Sequence, residues 1–571
     1  HYSAFCLFGF DNGILRCYTA FMNYEILTKK IKKEVEINGA RFIEFAYGVK
    51  KVKIKAELPV FSGDKDFGNG LITLSLKLGY NYFKCGENEF TLFRRLPERL
   101  VGKERYRPKF HYTVPFALLN DPNGLFYDDE KKIWNIYHQY QGNYTKNCEN
   151  KSWAHAASKD LITYEYLPVA LYPDNLGEIY SGSCVVDKEN TSGLFDSSTT
   201  FCDRIVAFYT AFDGIEKQCV AYSSDGGLTF KKYDGNPVLP NMENGRQLYT
   251  LGYRDPKVIR AFTERHKNGI WFMIVAGEQA RLYASPDLIR WTLNDEFVYP
   301  DGKKIVSECP DFFPMTDNHG KTRWVFIGND YNDGNSYIFY TVGNLIFKDD
   351  KYKYVVERVG DNRLNINPEC YASQTFSNAP DGRTVMLAWM RDWVLFDGDM
   401  WNFDKISKKS KYWLGTLTLK LIDDTIKVFP SEELNALRKK ELRIKKKNGL
   451  FSLTRCGNLL EIDIEKTKNP VSVILKSGSG EKIVISAKNG EFVCDKSESK
   501  AAGVKRYEKK LDSDYFSAKI LIDASVIEGY LNEGETAFNL QYYITDLKSV
   551  EITADHAKVY KLRQTVKVKQ L

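Results

Sequence analysis

The 571-residue sequence has no run of eighteen apolar residues, the least a helix needs to cross a bilayer, so no membrane-spanning helix is expected. Its eleven cysteines include no Cys-x-x-Cys and no paired Cys/His spacing, which leaves a structural zinc site without ligands. An odd, dispersed set favours reduced, buried thiols and a cytoplasmic setting. The start, HYSAFCLFGF, has neither an initiating Met nor a basic leader; it reads as a processed or fragmentary end, which keeps a secreted protein open. Helical periodicity is scarce, and the clearest candidate is SEELNALRKK (431–440), with Ser431 as N-cap. Charge of one sign is not in large excess either, at 81 Lys+Arg against 74 Asp+Glu. The densest basic run, RKKELRIKKKNG (438–449), alternates with apolar residues and an acid, as a solvated strand edge does. No recognition motif accompanies it, so no nucleic-acid partner is expected.

What the chain does have is aromatics, 36 Tyr and 35 Phe among them, a composition suited to β-rich packing and to stacking on sugar-like ligands. Short aromatic or β-branched runs bounded by Gly, Asp or Asn recur, such as IWNIYHQY, RIVAFYTAF, GIWFMIVAGE and TVMLAWM. One pattern repeats: SKDLITY, SSDGGLTF and SPDLIRW start at 158, 223 and 285. In each, a Ser-x-Asp turn tied down by its Asp precedes an aromatic. Repeats of some 60 residues built from short strands suggest four-stranded propeller blades, with room for about five between Arg105 and Leu421. After about 430 the chain changes to alternating strands with Asn-Gly and Glu-Gly turns, as in a β-sandwich. Residues 1–104 are β-rich and carry no recognisable site. The expected organisation is therefore all-β, with an extension (1–104), a propeller (105–428) and a sandwich (429–571).

Three acids sit beside prolines that fix the backbone: Asp121 in LLNDPNGLFY, Asp255 in YRDPKV and Glu308 in SECPDFF. Singly, each reads as a turn or a structural ion pair. In successive blades, acids at equivalent strand ends meet in the central channel.

With RPKFHYTVPFALLNDPNGLFY, WAHAASKDLITYEYLPVAL, YSGSCVVDKENTSGLF, YRDPKV, ECPDFF, YASQTF and DASVIEGYLNEGE in order, the chain resembles family 32 of the glycoside hydrolases, the invertases, exo-inulinases and levanases. The resemblance implies a five-bladed propeller followed by a sandwich. It implies Asp121 as nucleophile, Glu308 as general acid/base and Asp255 as transition-state stabiliser. It also implies a fructosyl pocket lined by Asn120, Gln139, Trp153, Tyr180, Ser181, Arg254 and Tyr371, with Trp393 as a wall residue. Departures cluster around that pocket: Leu118 for the usual Trp, Tyr180 for Phe, Ser307 for an aromatic, and Glu369–Cys370 for Asp-Phe before Tyr-Ala.

A retaining fructosidase needs one carboxylate that attacks and one acid that protonates the leaving oxygen. Backbone N–H donors would keep Asp121 ionised, and burial with neighbouring negative charge would keep Glu308 protonated. The implied partner is sucrose or a fructan, with no metal or organic cofactor, and no oligomeric state follows. Fructosyl transfer and hydrolysis of sucrose 6-phosphate stay open. A fructan-binding lectin would be expected to have lost one of the three acids, and all are present.

Overall fold

The computed structural model describes residues 7–11, 14–18, 23–37, 40–62, 65–77, 79–95, 107–115, 118–141, 151–250, 252–332, 335–358, 363–365, 369–390, 413–499, 505–542, 544 and 546–567. The chain forms two compact units, residues 1–97 with 142–144, and 98–141 with 145–571. In the first, a six-stranded sheet pairs Asn88–Arg94 in parallel with Ala40–Phe45 and antiparallel with Gly79–Cys85. A three-stranded sheet of Tyr24–Ile26, Lys51–Ala56 and Gly70–Ser75 accompanies it. Lys51, Lys53 and Lys55 are exposed while Val52, Ile54 and Ala56 are buried. This period of two puts the apolar face in one core with Ile43, Phe45 and Leu92.

The second unit contains five antiparallel blades. Their innermost strands are Leu118–Asp128, Glu178–Val186, Lys257–Ala261, Glu308–Thr316 and Tyr371–Thr375. The ring closes when Tyr112–Thr113 pairs with Trp413–Ile422 as the outermost strand of the path through blade five. Apolar layers lie between blades: Phe126 and Trp153 against Ile179 and Tyr209, then Phe208 and Val220 against Val258 and Met273. Inner strands also bond to one another: Tyr127 N–H donates to Ser377 O and Ser377 N–H to Leu125 O, both at 2.9 Å. Lys257, almost fully buried, donates to Thr375 O at 2.5 Å and lies 3.5 Å from the Asp311 carboxylate, tying blades three, four and five at the axis.

The repeated turns join the third and fourth strands of blades one to three. Asp160 accepts from Ile162 and Thr163 N–H, Asp225 from Leu228 and Thr229, and Asp287 from Ile289 and Arg290. Blade four turns instead through Asp349 and Asp350, both left-handed, which is why the repeat has no fourth copy there. The helix expected over 431–440 is only a 3-10 segment, Glu432–Leu437, and Ser431 makes no side-chain cap. Only Leu434 and Leu437 are buried in it, too small an apolar face to hold an α-helix. Arg438–Glu441 and Lys445–Lys447 are edge strands of the two sandwich sheets, as the basic run suggested.

The sandwich stacks a six-stranded on a seven-stranded sheet. Alternate residues of Val471–Ser477 and Lys482–Lys488 face the shared core. Its link to the propeller entry is polar and buried. Asp523 accepts backbone N–H groups of Lys109 (2.6 Å), Phe110 (2.9 Å) and His111 (3.0 Å). His111 bridges Asp523 through Nδ1 at 2.9 Å and Glu528 through Nε2 at 3.0 Å. Burial opposes the imidazolium, but the Glu528 and Asp523 carboxylates outweigh it and push the His111 pKa up to about 10.

A folded pKa above the unfolded value near 6.5 means that this clasp is at full strength below that pH. Its contribution is lost as pH rises toward about 10. His111→Gln should lower unfolding free energy by about 3 kcal/mol at pH 6 and by much less at pH 10. Denaturant unfolding of the wild-type and variant chains at both pH values checks this; a loss that does not depend on pH would refute it.

Candidate active site

Inner strands of a propeller converge on one axis, and here their heads are irregular. Register breaks fall between Leu119 and Pro122, Ile179 and Gly182, Glu308 and Asp311, and Tyr371 and Gln374. In blade three, Asp255 stands just before the strand with φ +60°. Asp121 therefore lies in a bulge inside a strand, where the sequence reading had a turn. A bulge re-aims side chains that would otherwise alternate. A second break in the same strand, between Asn123 and Phe126, holds Gly124: at φ +55°, an added Cβ would fall 2.8 Å from both Cys184 Sγ and the Tyr137 ring.

The three acids are brought together. Oxygens of Asp121 and Asp255 and the sulfur of Cys309 all lie within 4.8 Å of one another. Arg254 contacts Glu308, donates to Glu216 at 3.1 Å and has Nε 3.8 Å from Asp255. Tyr371 donates its hydroxyl to Glu308 Oε2 at 2.6 Å. Ser181 Oγ donates to Asp121 Oδ2 at 2.6 Å, so a hydroxyl occupies the place expected for backbone N–H donors. The backbone donor serves Asp255 instead, from Cys309 N–H at 2.9 Å.

Asn120 Oδ1 and Gln139 Oε1 are buried acceptors without a partner among the described residues, while Gln139 Nε2 is spent on Ile179 O. Tyr180 stacks on Phe212, and the Lys151 ammonium sits 3.8 Å from its ring centre. Trp153 is fully buried, and its Nε1–H donates to Tyr180 O at 3.0 Å. The register break between Ile179 and Gly182 turns the Tyr180 carbonyl toward it, and the bond holds Tyr180 in place. Trp393 and the Leu118 side chain fall outside the described residues.

Burial pushes the Asp121 carboxyl up; the Ser181 hydroxyl opposes this and Glu308 adds to it. Burial also raises Asp255, to about 7, against the pull of Arg254 and with the push of Asp121. Carboxylates this close resist ionising together. The Cys309 thiol is held well above its usual range by burial and by the three acids. Asp121, Asp255 and Cys309 could approach a cation only if that proton were displaced.

Several supporting residues escaped sequence reasoning: Glu216, which anchors Arg254; Thr210, whose Oγ1 accepts Asp255 N–H at 3.0 Å; and Asn329, which donates to Cys309 O at 3.1 Å. Their one signal is position at the channel end of a second or third blade strand.

Comparison with known proteins agrees with this geometry. The description "Glycosyl hydrolases family 32 N-terminal domain" fits residues 111–420, and the family's C-terminal description fits 433–570. The chain belongs to glycosyl hydrolase family 32. It is a glycosidase, with a β-propeller followed by a β-sandwich. A levanase of Bacillus subtilis is 32% identical over 501 residues, covering 82% of this chain and 70% of that protein. A levanase of Bacillus sp. strain L7 is 31% identical, and the chain spans about half of that longer protein, 49%. Among solved structures, a fructofuranosidase variant of Schwanniomyces occidentalis complexed with fructosylnystose has a TM-score of 0.68 at 25% identity. It covers 81% of this chain and 98% of its own.

In this family 32 site, Asp255 has a folded pKa near 7, above its unfolded value, so ionising it costs stability as pH rises through 7. Asp255→Asn should stabilise the fold at pH 8 by about 1–2 kcal/mol and by nothing near pH 4. Equal melting shifts at the two pH values would count against this reading.

Proposed function

We propose that the chain removes terminal β-D-fructofuranosyl units from sucrose and fructans by retaining hydrolysis. The observation that carries this is the meeting of Asp121, Asp255 and Glu308 from three blades, with Arg254 spanning the latter two. Asp121 attacks the anomeric carbon C2 while Glu308 gives its proton to the departing oxygen. Glu308 then takes a proton from the water that hydrolyses the fructosyl-enzyme. Asp255 and the open acceptors on Asn120 and Gln139 take hydrogen bonds from ring hydroxyls, which tighten as the ring flattens toward the oxocarbenium-like state. Arg254 and Tyr371 orient the Glu308 carboxyl. Fructans enter this reading through the relatives named levanase and the fructosylnystose complex. The division at 104/105 and 428/429 is part of the same proposal: propeller pairing begins at Tyr112, Thr425–Pro430 still pairs with Trp413–Ile422, and the first sandwich strand begins at Arg438.

Asp121→Ala should lower kcat more than about a thousandfold with an unchanged melting curve. Glu308→Ala should cost about 10²–10⁴ on sucrose and far less on an activated aryl fructoside, whose leaving group needs no proton. Equal losses on both substrates would remove Glu308 from the acid role.

In this reading, side chains from successive blades surround one sugar ring, as a pocket for a single terminal unit requires. Free fructose should therefore dominate the first products from inulin or levan. An early ladder of oligosaccharides in timed chromatography would overturn exo action.

A further inference from the structure

Glu369 is fully buried, has no part in the chemistry above, and stands where Asp is usual in the family 32 pattern. It lies two residues before Tyr371, on the loop leading into blade five. Its partners among the described residues all belong to the sandwich, and both sheets supply them. One carboxylate oxygen accepts the backbone N–H of Gln541, on the edge strand of the six-stranded sheet. The other meets the Lys496 ammonium and the Tyr507 hydroxyl (2.9 Å), from the end of the seven-stranded sheet. Lys496 is fully buried too and also donates to Gln541 O at 3.4 Å.

The same edge strand makes two more contacts, one on the connection into blade five and one on blade five itself. Asn365 bridges Ala537 in parallel, and Gln541 Nε2 donates to Met390 O at 2.8 Å, at the end of the second strand of blade five. The chain around Tyr371 is thus held from the sandwich side, and Ala372 beside it is left-handed at φ +49°. A non-Gly residue holds that conformation only when its surroundings impose it.

We infer that Glu369 and Lys496 are positioning residues through which the sandwich sets Tyr371 against the Glu308 carboxyl, so that proton delivery to the leaving group depends on a domain that carries none of the reacting groups. The inference rests on the acid role proposed for Glu308. A displacement near 1 Å at a catalytic group costs up to about a hundredfold in rate. Losing the anchor leaves the pocket residues of blades one to three in place, so substrate binding is spared.

The test uses the full chain with Lys496→Met and Glu369→Gln, the milder Tyr507→Phe, and Lys476→Met as a control that breaks the outlying Lys476–Glu551 pair. Sucrose and an activated aryl fructoside are compared. Lys496→Met and Glu369→Gln should lower kcat on sucrose about tenfold or more with KM within about twofold. The loss should be much smaller on the activated substrate, and Tyr371→Phe should show the same split. Tyr507→Phe should fold normally and show a weaker version, and Lys476→Met should show none. Equal losses on both substrates, or losses that follow melting temperature in all three variants, would overturn the inference. Glu308→Ala, run beside them, separates the causes. If it shows the leaving-group split and the anchor variants do not, the positioning fails alone; if it shows none, the acid assignment fails first.

Discussion

Five strands that meet around one axis cannot all keep regular alternation and still present functional groups to the channel. The register breaks at the strand heads resolve that conflict, and the site depends on them. Each break exposes backbone groups and forces residues such as Cys309 and Ala372 into left-handed conformations, at a cost of order 1–3 kcal/mol each. The compensation comes from within a blade and from the next one: Asn329, on the second strand of blade four, holds the Cys309 carbonyl of its own blade, and its Oδ1 accepts Ser373 N–H of blade five. A blade head is therefore stable only in the company of the next one. Residues from distant parts of the sequence are positioned together for this reason.

Electrostatics sets the second condition. Asp121, Asp255 and Glu308 crowd near the Arg254 guanidinium, and burial first, with their mutual repulsion added, raises the Asp121 and Asp255 carboxyls. The same arrangement suits a reaction whose transition state carries positive charge on the sugar ring. Opposite charge appears where like charges were crowded, without reorganisation of the protein. Deeper on the axis the requirement is reversed. There Lys257 and Asp311 are paired and bonded to Thr375, because a buried unpaired charge would find no such relief.

Local chemistry made much of this legible in the sequence. The Asp turns announced three of the five blades because Ser-x-Asp satisfies its own backbone, a purely local interaction. The acids were legible through their prolines and the ordered motifs around them. What sequence reasoning missed is set by distant pairing. Asp-Pro-Asn-Gly reads as a turn, yet pairing with Ile133–Gln141 makes it a bulge. Glu216 and Thr210 carry no motif; only the ring's closure puts them under Arg254 and Asp255.

Blade five explains why the sandwich belongs to the working enzyme. Its outer strand on the closing path is only the pair Tyr112–Thr113, bonded to the start of Trp413–Ile422. A closure of two residues contributes little against the entropy of holding a ring shut. The sandwich braces that seam at both edges. Asp523 and His111 fix the strand that arrives from the chain's entry, and Glu369 with Lys496 fixes the inner strand beside Glu308. Both braces are buried and charged, so both demand close geometry to repay their desolvation. That demand turns a weak closure into a defined one, and it does so in the blade whose Tyr371 touches the proposed acid.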